Sequence, residues 1–302
     1  MKLAIHSEAL KNILEGKSNS YFKNIFFCSK ISLTPDVLSQ YQNLLGSNHV
    51  YMTWFASNTG SNRFSINYPA HAPRLVQAAD VTSNGYGTAS YYGGSNLVTE
   101  NKHLTNSAIS SLVKIGVELI SENANITSNV TGDNPILTVS LKNNSSIDFN
   151  ILDKYIHPED NIVVYDKFIT NETTELLEYI AKKMPSTSSL KIYHSDARGS
   201  KIINNIDIIN RVKIANSNIN VICEICPKSF TSKMHDRYIF LGNRIQIVFT
   251  AGLDCFGIKD LSTGLRKNRQ SQIIFYDSTD GEHLEIVGAN GNTCSVKHFL
   301  TS

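Results

Sequence analysis

Apolar and polar positions follow different patterns in the two halves of the chain. In the first half, a helical pattern follows Ser7, apolar runs at 25–27 and 50–55 predict strands, and a second helix begins near Thr105. The polar stretch 69–96 carries glycines and tyrosines that are typical of a hairpin or loop. This mixture predicts an α+β domain.

The second half alternates strand, helix and strand. Apolar runs at 161–165, 190–193 and 219–225 predict strands, and the intervening segments have helical spacing. Such alternation implies parallel strands joined by crossover helices. Five further runs separated by turn residues predict antiparallel strands: 238–241, 245–249, 272–276, 283–287 and 293–296. We therefore expect an α/β domain built on a mixed sheet that is flanked by helices, so that the whole chain is α+β overall.

A polar run, Lys142 to Ser146, separates these two patterns. Lys-Asn-Asn-Ser-Ser has no apolar side chain with which to pack or to hold a strand register. The sequence therefore predicts a domain boundary there, with an N-terminal domain at 1–145 and a C-terminal domain at 146–302.

Composition sets limits on partners and location. The 302 residues are 41% hydrophobic, and 28 basic against 26 acidic residues leave a net charge of +2. A near-neutral chain has no overall field that recruits a polyanion, so any such binding must come from a local patch. No apolar run approaches the ~18–20 residues that cross a bilayer, and the N-terminus lacks a secretion leader. With five cysteines, an odd number, we expect a soluble protein of the reducing cytoplasm.

A histidine and an arginine two residues apart open one predicted strand of the second half. His235 and Arg237 would face the same side, because alternate residues of a strand do so. A guanidinium offers two parallel donors to a phosphate, and an imidazole serves as nucleophile, acid or donor. The pair therefore indicates a phosphate site. The alternative is an exposed ion-pair group formed with Asp236.

Two motifs flank this pair in the segment 161–256: Tyr165-Asp166-Lys167-Phe168 ends a predicted strand, and Gly252-Leu253-Asp254-Cys255-Phe256 follows the next strand. With them the segment resembles the phospholipase D-like domain found at the C-terminus of MIT-domain (microtubule-interacting and trafficking) proteins. In that family a strand ending in an Asp-Pro-Tyr-like turn precedes a helix, which Tyr165-Asp166-Lys167-Phe168 matches. A later His-Asp-Arg precedes Gly-Leu-Asp-x-Phe, which 235–237 and 252–256 match. The resemblance implies a phospholipase D-like fold and a phosphate site in which Asp254 accompanies His235 and Arg237.

Other positions depart from the catalytic phospholipase D pattern, which is His-x-Lys followed by Asp and then Gly-Ser. Arg237 replaces the Lys, Gly242 the Asp and Leu253 the Ser. Residues 250–251, Thr-Ala, also replace the Gly-Arg of the nearest relatives. If the chain is an enzyme, we expect a phosphodiesterase with His235, Arg237 and Asp254 as its catalytic residues. Because phosphohistidine chemistry needs a second histidine to protonate the leaving group, two chains would then share one site.

Arg266, Lys267 and Arg269 form a basic group in the loop before the next predicted strand. We expect them to bind phosphate together with His235 and Arg237. The alternative is a solvated loop, because three charges are fewer than a polyanion-binding run usually has.

Cys223 and Cys226 have the spacing of metal ligands, but no second pair completes the four ligands of a zinc site. We therefore expect no metal and no cofactor.

Other polar residues carry weaker patterns. Tyr86 stands between two glycines, which suits stacking on a base or a protein partner. His71 and His103 are isolated, as structural histidines usually are. His194 ends a predicted strand, where α/β sheets bind ligands, but a turn is the simpler interpretation.

Three functional hypotheses follow. The first is a module that recognises a phosphate-bearing ligand, a nucleic-acid backbone or an anionic lipid headgroup, without turnover; its N-terminal domain is then free to contact a protein partner. The second is a phosphodiesterase, such as a nuclease, that acts as a homodimer through His235. The third places the activity in the N-terminal domain. The Asn- and Ile-rich composition and the absence of the helical MIT domain suit a component of a bacterial antiviral defence or conflict system.

Overall fold

A computed structural model describes residues 2–19, 22, 26–27, 29–46, 48–59, 63–77, 81–123, 135–195, 203–234, 236–279 and 281–298. The chain divides into two compact units, Met1–Asn134 and Pro135–Ser302. Each unit has its own sheet and its own hydrophobic core.

The described part of the first unit is built on a parallel sheet. Its strands are β1 (Lys2–Ile5), β2 (Lys30–Leu33), β3 (Phe64–Ile66), β4 (Asn96–Val98) and β5 (Glu118–Ile120). Their order in the sheet is β3-β2-β1-β4-β5. All four residues of the central strand β1 are buried, which requires cover on both faces of the sheet. The unit is therefore a doubly wound α/β structure rather than the α+β domain that the sequence pattern predicts.

Helices connect these strands. The first and last helices begin where predicted, because His6 and Thr105 supply side-chain caps for the exposed backbone N–H groups. The helices are α1 (Ser7–Leu14), α2 (Pro35–Leu45), α3 (His49–Thr59), α4 (Arg74–Gln77), α5 (Val81–Tyr92) and α6 (Asn106–Lys114).

Two predicted strands of this unit are wrong. The run 50–55 lies in α3, where Trp54 stacks on Phe26 at 5.7 Å. Phe26 and Phe27 themselves have a helical backbone, and the start of that run, Ile25, lies outside the described residues. Short apolar runs have no periodicity that separates a buried helix from a buried strand.

The predicted glycine–tyrosine hairpin is also wrong, because residues 81–92 form α5. A Cβ at Gly85 would lie 3.1 Å from Thr34 Oγ1, and one at Gly93 would lie 2.9 Å from the backbone nitrogen of Ala4. The glycines thus allow close packing of this segment on its neighbours, and that packing outweighs their low helix propensity.

The boundary between the units lies after Asn134, before the predicted boundary at 145/146. The strand β6 (Pro135–Leu141) accounts for the difference. It pairs antiparallel with β12 (Ser271–Asp277), with Val139 opposite Ile273. The polar run that follows β6 is therefore a loop within the second unit.

The described part of the second unit contains a mixed sheet. Besides β6 and β12, its strands are β7 (Asn161–Asp166), β8 (Ser189–Ser195), β9 (Asn220–Cys226), β10 (Arg237–Leu241) and β11 (Ile245–Phe249). The strand order is β6-β12-β11-β10-β7-β8-β9. The strands β7, β8 and β9 are parallel, and the remaining neighbours are antiparallel, as predicted. We name one end of this sheet the Asp166 end: β7, β8 and β11 finish there, and β10 and β12 start there.

Different elements cover the two faces of the mixed sheet. Helices pack on one face, where Leu176 and Val212 join the core around Ile192. A hairpin, β13 (Glu282–Val287) with β14 (Thr293–His298), packs on the other face through Ile286 and Val296. The helices are α7 (Asp153–Ile156), α8 (Asn171–Lys183), α9 (Asn205–Ala215) and α10 (Lys228–Thr231).

The α/β class with parallel and mixed sheets is confirmed. Among the described residues, no helix has the length and apolar character needed to cross a membrane.

Candidate functional site

Arg237 and Asp166 meet at the Asp166 end of the mixed sheet. Arg237 is the first residue of β10 and Asp166 is the last residue of the neighbouring strand β7. Arg237 Nε lies 3.5 Å from Asp166 Oδ1, and their side chains are 19% and 1% exposed. The sequence names Arg237 as a site residue but gives Asp166 only as part of a strand motif.

Asp166 is fixed by further contacts. The backbone N–H of Phe168 and the hydroxyl of Thr173 donate to its two carboxylate oxygens, both at 3.3 Å. Burial raises the pKa of Asp166 to about 6, although the Phe168 N–H and the Arg237 guanidinium favour the ionised form. Asp166 is therefore a buried carboxylate that holds Arg237 in place near neutral pH.

A second ion pair joins Asp254 and Arg269. Asp254 lies in the 3-10 turn Leu253–Phe256 after β11, and its carboxylate accepts from the Arg269 guanidinium. Arg269 Nη2 also lies 3.6 Å from Glu172 Oε1 in the first turn of α8, and the Arg269 side chain is 56% exposed. Two carboxylates thus orient a guanidinium that remains open to a ligand.

Gly252 allows this arrangement. A Cβ at Gly252 would lie 2.2 Å from Asp254 Oδ1, so the Asp254 carboxylate occupies the space of a side chain. A side chain at position 252 would displace the Asp254 carboxylate from this position, which gives the Gly-Leu-Asp motif a steric basis.

Arg266 does not belong to this site, contrary to the expectation from the sequence. Its side chain is 6% exposed and contacts Asp148 Oδ1 and Glu175 Oε2, each at 3.0 Å. It also donates to the Gly257 carbonyl, and its guanidinium lies 3.7 Å from the centre of the Phe149 ring. The Arg266 donors are committed to the protein, which makes Arg266 a structural residue.

Lys267 and Arg269 share one open cavity. This cavity, of about 420 Å³, is lined by both cations and by Gly257, Ile258 and Asp260. Lys267 Nζ is 3.8 Å from Asp260 Oδ2, and its side chain is 70% exposed. The two cations of the predicted basic group that remain accessible thus face the same space.

A polar groove of about 720 Å³ lies at the same end of the sheet. Thr250 after β11, Gln270 before β12 and Lys142 after β6 line it. Nothing in the sequence pattern indicated Lys142, because its position depends on the pairing of β6 with β12.

His235, the proposed nucleophile, lies outside the described residues. His194 is buried at the end of β8, where Nδ1 contacts the Ser195 carbonyl at 2.9 Å and Nε2 contacts Asn205 Oδ1 at 2.6 Å. These contacts tie β8 to the start of α9. His194 is therefore a structural histidine.

The two cysteines with metal-type spacing lie on opposite faces of the sheet. Cys223 packs against the core on the helix side, and Cys226 packs under the hairpin. Burial raises the pKa of each thiol to about 12. Because residues three apart on a strand point in opposite directions, these thiols cannot hold one ion together.

Comparison with known proteins adds no assignment. No protein-family model matches the chain, and no curated protein matches it.

Proposed function

We propose that the second unit recognises a phosphate-bearing ligand at the Asp166 end and does not hydrolyse it. One observation carries the proposal: Arg237 and Arg269 are each oriented by fixed carboxylates at the same end of one sheet. Arginine is suited to phosphate because its planar fork donates two parallel hydrogen bonds.

The surroundings support binding. Lys267 lines the cavity that Arg269 borders, and Lys142 lines the polar groove at the same end. Three of the four cations have carboxylate partners: Asp166 beside Arg237, Asp254 and Glu172 beside Arg269, and Asp260 beside Lys267. The site therefore offers a phosphate oriented donors at short range rather than a long-range positive field.

The same positions argue against turnover. Gly242, which stands where a phospholipase D has its aspartate, has a φ of +54° in the turn after β10, at the far end of that strand from Arg237. Leu253, which stands where the serine would be, is fully buried. The residues that would support a histidine nucleophile are therefore replaced by residues without acid–base chemistry.

Binding assays with the full chain test this proposal. We expect labelled single-stranded DNA, labelled RNA or phosphatidylserine vesicles to bind, and Arg269→Gln to weaken that binding. Lys183→Gln is the matched control: it also removes one positive charge, but at the other end of α8, ~16 Å along the helix axis from Glu172. Equal affinity of the two variants for every probe would contradict the proposal.

Hydrolysis assays on the same probes separate recognition from catalysis. We expect intact probes after incubation with wild-type protein across pH and divalent metals. Cleavage that disappears in His235→Ala would instead support the phosphodiesterase hypothesis, in which two chains share the site.

A further inference from the structure

The first unit carries a polar cluster at the place where doubly wound sheets bind ligands. In the order β3-β2-β1-β4-β5, the chain leaves β1 toward one side and later returns to its other side as β4. A crevice opens at the carboxyl ends of two such strands. His6 follows β1 there, and Glu100 and His103 follow β4.

Three rings form a continuous stack at this crevice. The His6 ring lies 4.7 Å from the Tyr86 ring with an interplanar angle of 24°, and 5.4 Å from the His103 ring with an angle of 19°. Tyr86 is anchored through its hydroxyl, which donates to Gln40 Oε1 at 2.6 Å. The order of the rings is Tyr86, His6, His103. Within the part of the chain that the structure describes, the half-buried His103 is the outer end of this stack.

Hydrogen bonds fix the orientation of both imidazoles. His6 Nδ1 accepts from the Glu8 N–H at 3.2 Å, and His103 Nδ1 accepts from the Glu100 N–H at 3.4 Å. The proton of each ring is therefore on Nε2, which is a donor. Burial and the nearby His103 lower the pKa of His6 to about 4, so His6 is neutral at pH 7.

The same crevice provides an acceptor and disfavours anions. The Glu100 side chain accepts from the backbone N–H of His103 and from the Ser121 hydroxyl, and a carboxylate has further lone pairs to offer. The start of α1 is closed, because Ser7 N–H donates to Tyr86 Oη and Glu8 N–H donates to His6. A phosphate there would meet the Glu100 carboxylate, and the N–H groups of Ser7 and Glu8 already have acceptors.

We infer that this crevice binds an uncharged planar heterocycle that carries hydroxyl groups, that is, a nucleoside-type ligand without phosphate. The ring extends the stack on the outer face of His103, as bases do on aromatic side chains. The hydroxyls donate to Glu100 and accept from His103 Nε2. This site belongs to the first unit and does not depend on the phosphate site of the second.

Calorimetric titration of the full chain with adenosine, guanosine, uridine and cytidine tests the inference. We expect saturable binding of at least one of them, and a loss of about tenfold or more in affinity for His103→Ala, because the stacking partner is removed. His103→Phe keeps a ring at that position and should bind more tightly than His103→Ala. His71→Ala, in an exposed turn of the same unit, is the control and should bind like wild type.

Three results would overturn the inference. One is the absence of saturable binding for all four nucleosides to wild-type protein. Another is equal affinity of folded His103→Ala and His71→Ala. The third is tighter binding of the corresponding 5′-monophosphate that His103→Ala weakens and Arg269→Gln does not, which would show that the crevice of the first unit favours an anion.

Discussion

The buried carboxylate of Asp166 holds the guanidinium of Arg237 across two adjacent strands, with 3.5 Å between Oδ1 and Nε. The first residue of β10 is thereby fixed to the last residue of β7. This contact directs Arg237 toward the end of the sheet where Asp254 and Arg269 form the second ion pair.

Removal of Arg237 should destabilise the protein. Arg237→Gln leaves a buried carboxylate without its cation, a loss of about 2–4 kcal/mol after allowance for the partial exposure of Arg237. Urea unfolding measures this change. In an Asp166→Asn background the same substitution should cost much less, and equal costs in both backgrounds would rule out the coupling.

The stability of the protein should depend on Asp166 through pH. Its pKa is about 6 in the folded protein, above the ordinary value of 3.8, so the folded state retains a proton that the unfolded state has lost between these values. The stability contributed by protonated Asp166 is full below pH ~4 and is lost as the pH rises through 6, a difference of about 2–3 kcal/mol. Unfolding of wild type relative to Asp166→Asn at pH 4 and pH 7.5 should show this fall. A constant difference at the two pH values would exclude it.

Two glycines with positive φ angles should respond differently to alanine. Gly257 and Gly264 have φ angles of +64° and +69°, so both substitutions strain the backbone by about 1–2 kcal/mol. A Cβ at Gly257 would also lie 2.0 Å from the Lys267 carbonyl oxygen, whereas the space around Gly264 is open. Gly257→Ala should therefore lose about 1–3 kcal/mol more than Gly264→Ala in urea unfolding. Similar losses would contradict the packing of the Lys267 backbone on Gly257.

Adjacent basic residues should have opposite roles. Arg266→Leu should destabilise the protein by about 1–3 kcal/mol, because it removes the hydrogen bonds of a buried guanidinium, while Asp148 and Glu175 stay partly solvated at 44% and 34% exposure. Lys267→Gln should leave the unfolding free energy within about 0.5 kcal/mol, since Lys267 is exposed. It should instead weaken binding of the phosphate-bearing probe. If Arg266→Leu instead weakened binding and left the unfolding free energy unchanged, Arg266 would be a ligand-binding residue.

The sequence predicts the second unit better than the first. Alternating strands and helices bounded by caps and turns give β7 to β14 close to their observed limits, because each pattern there is local. In the first unit, α5 forms despite Gly85 and Gly87, since its small residues pack closely against neighbouring segments. No local pattern contains that information.

The candidate site shows the same division. Arg237, Asp254 and Arg269 are identified from motifs and charge, and the structure brings the last two into contact. Arg266 differs from Arg269 only through its contacts with Asp148, Glu175 and Phe149, which are distant in sequence. His6, Tyr86 and His103 have no informative spacing, because the strand order alone brings them together.

The most direct test of phosphate recognition follows the arginine side chains themselves. The full chain, labelled with ¹⁵N, is titrated with dimethyl phosphate, and the Nε–H signals are assigned by their loss in Arg237→Gln and Arg269→Gln. The signals of Arg237 and Arg269 should shift saturably, while that of Arg244, buried against Glu159 at 2.7 Å, should stay in place. Saturable binding that moves neither Arg237 nor Arg269, or no binding at all, would contradict the proposed function.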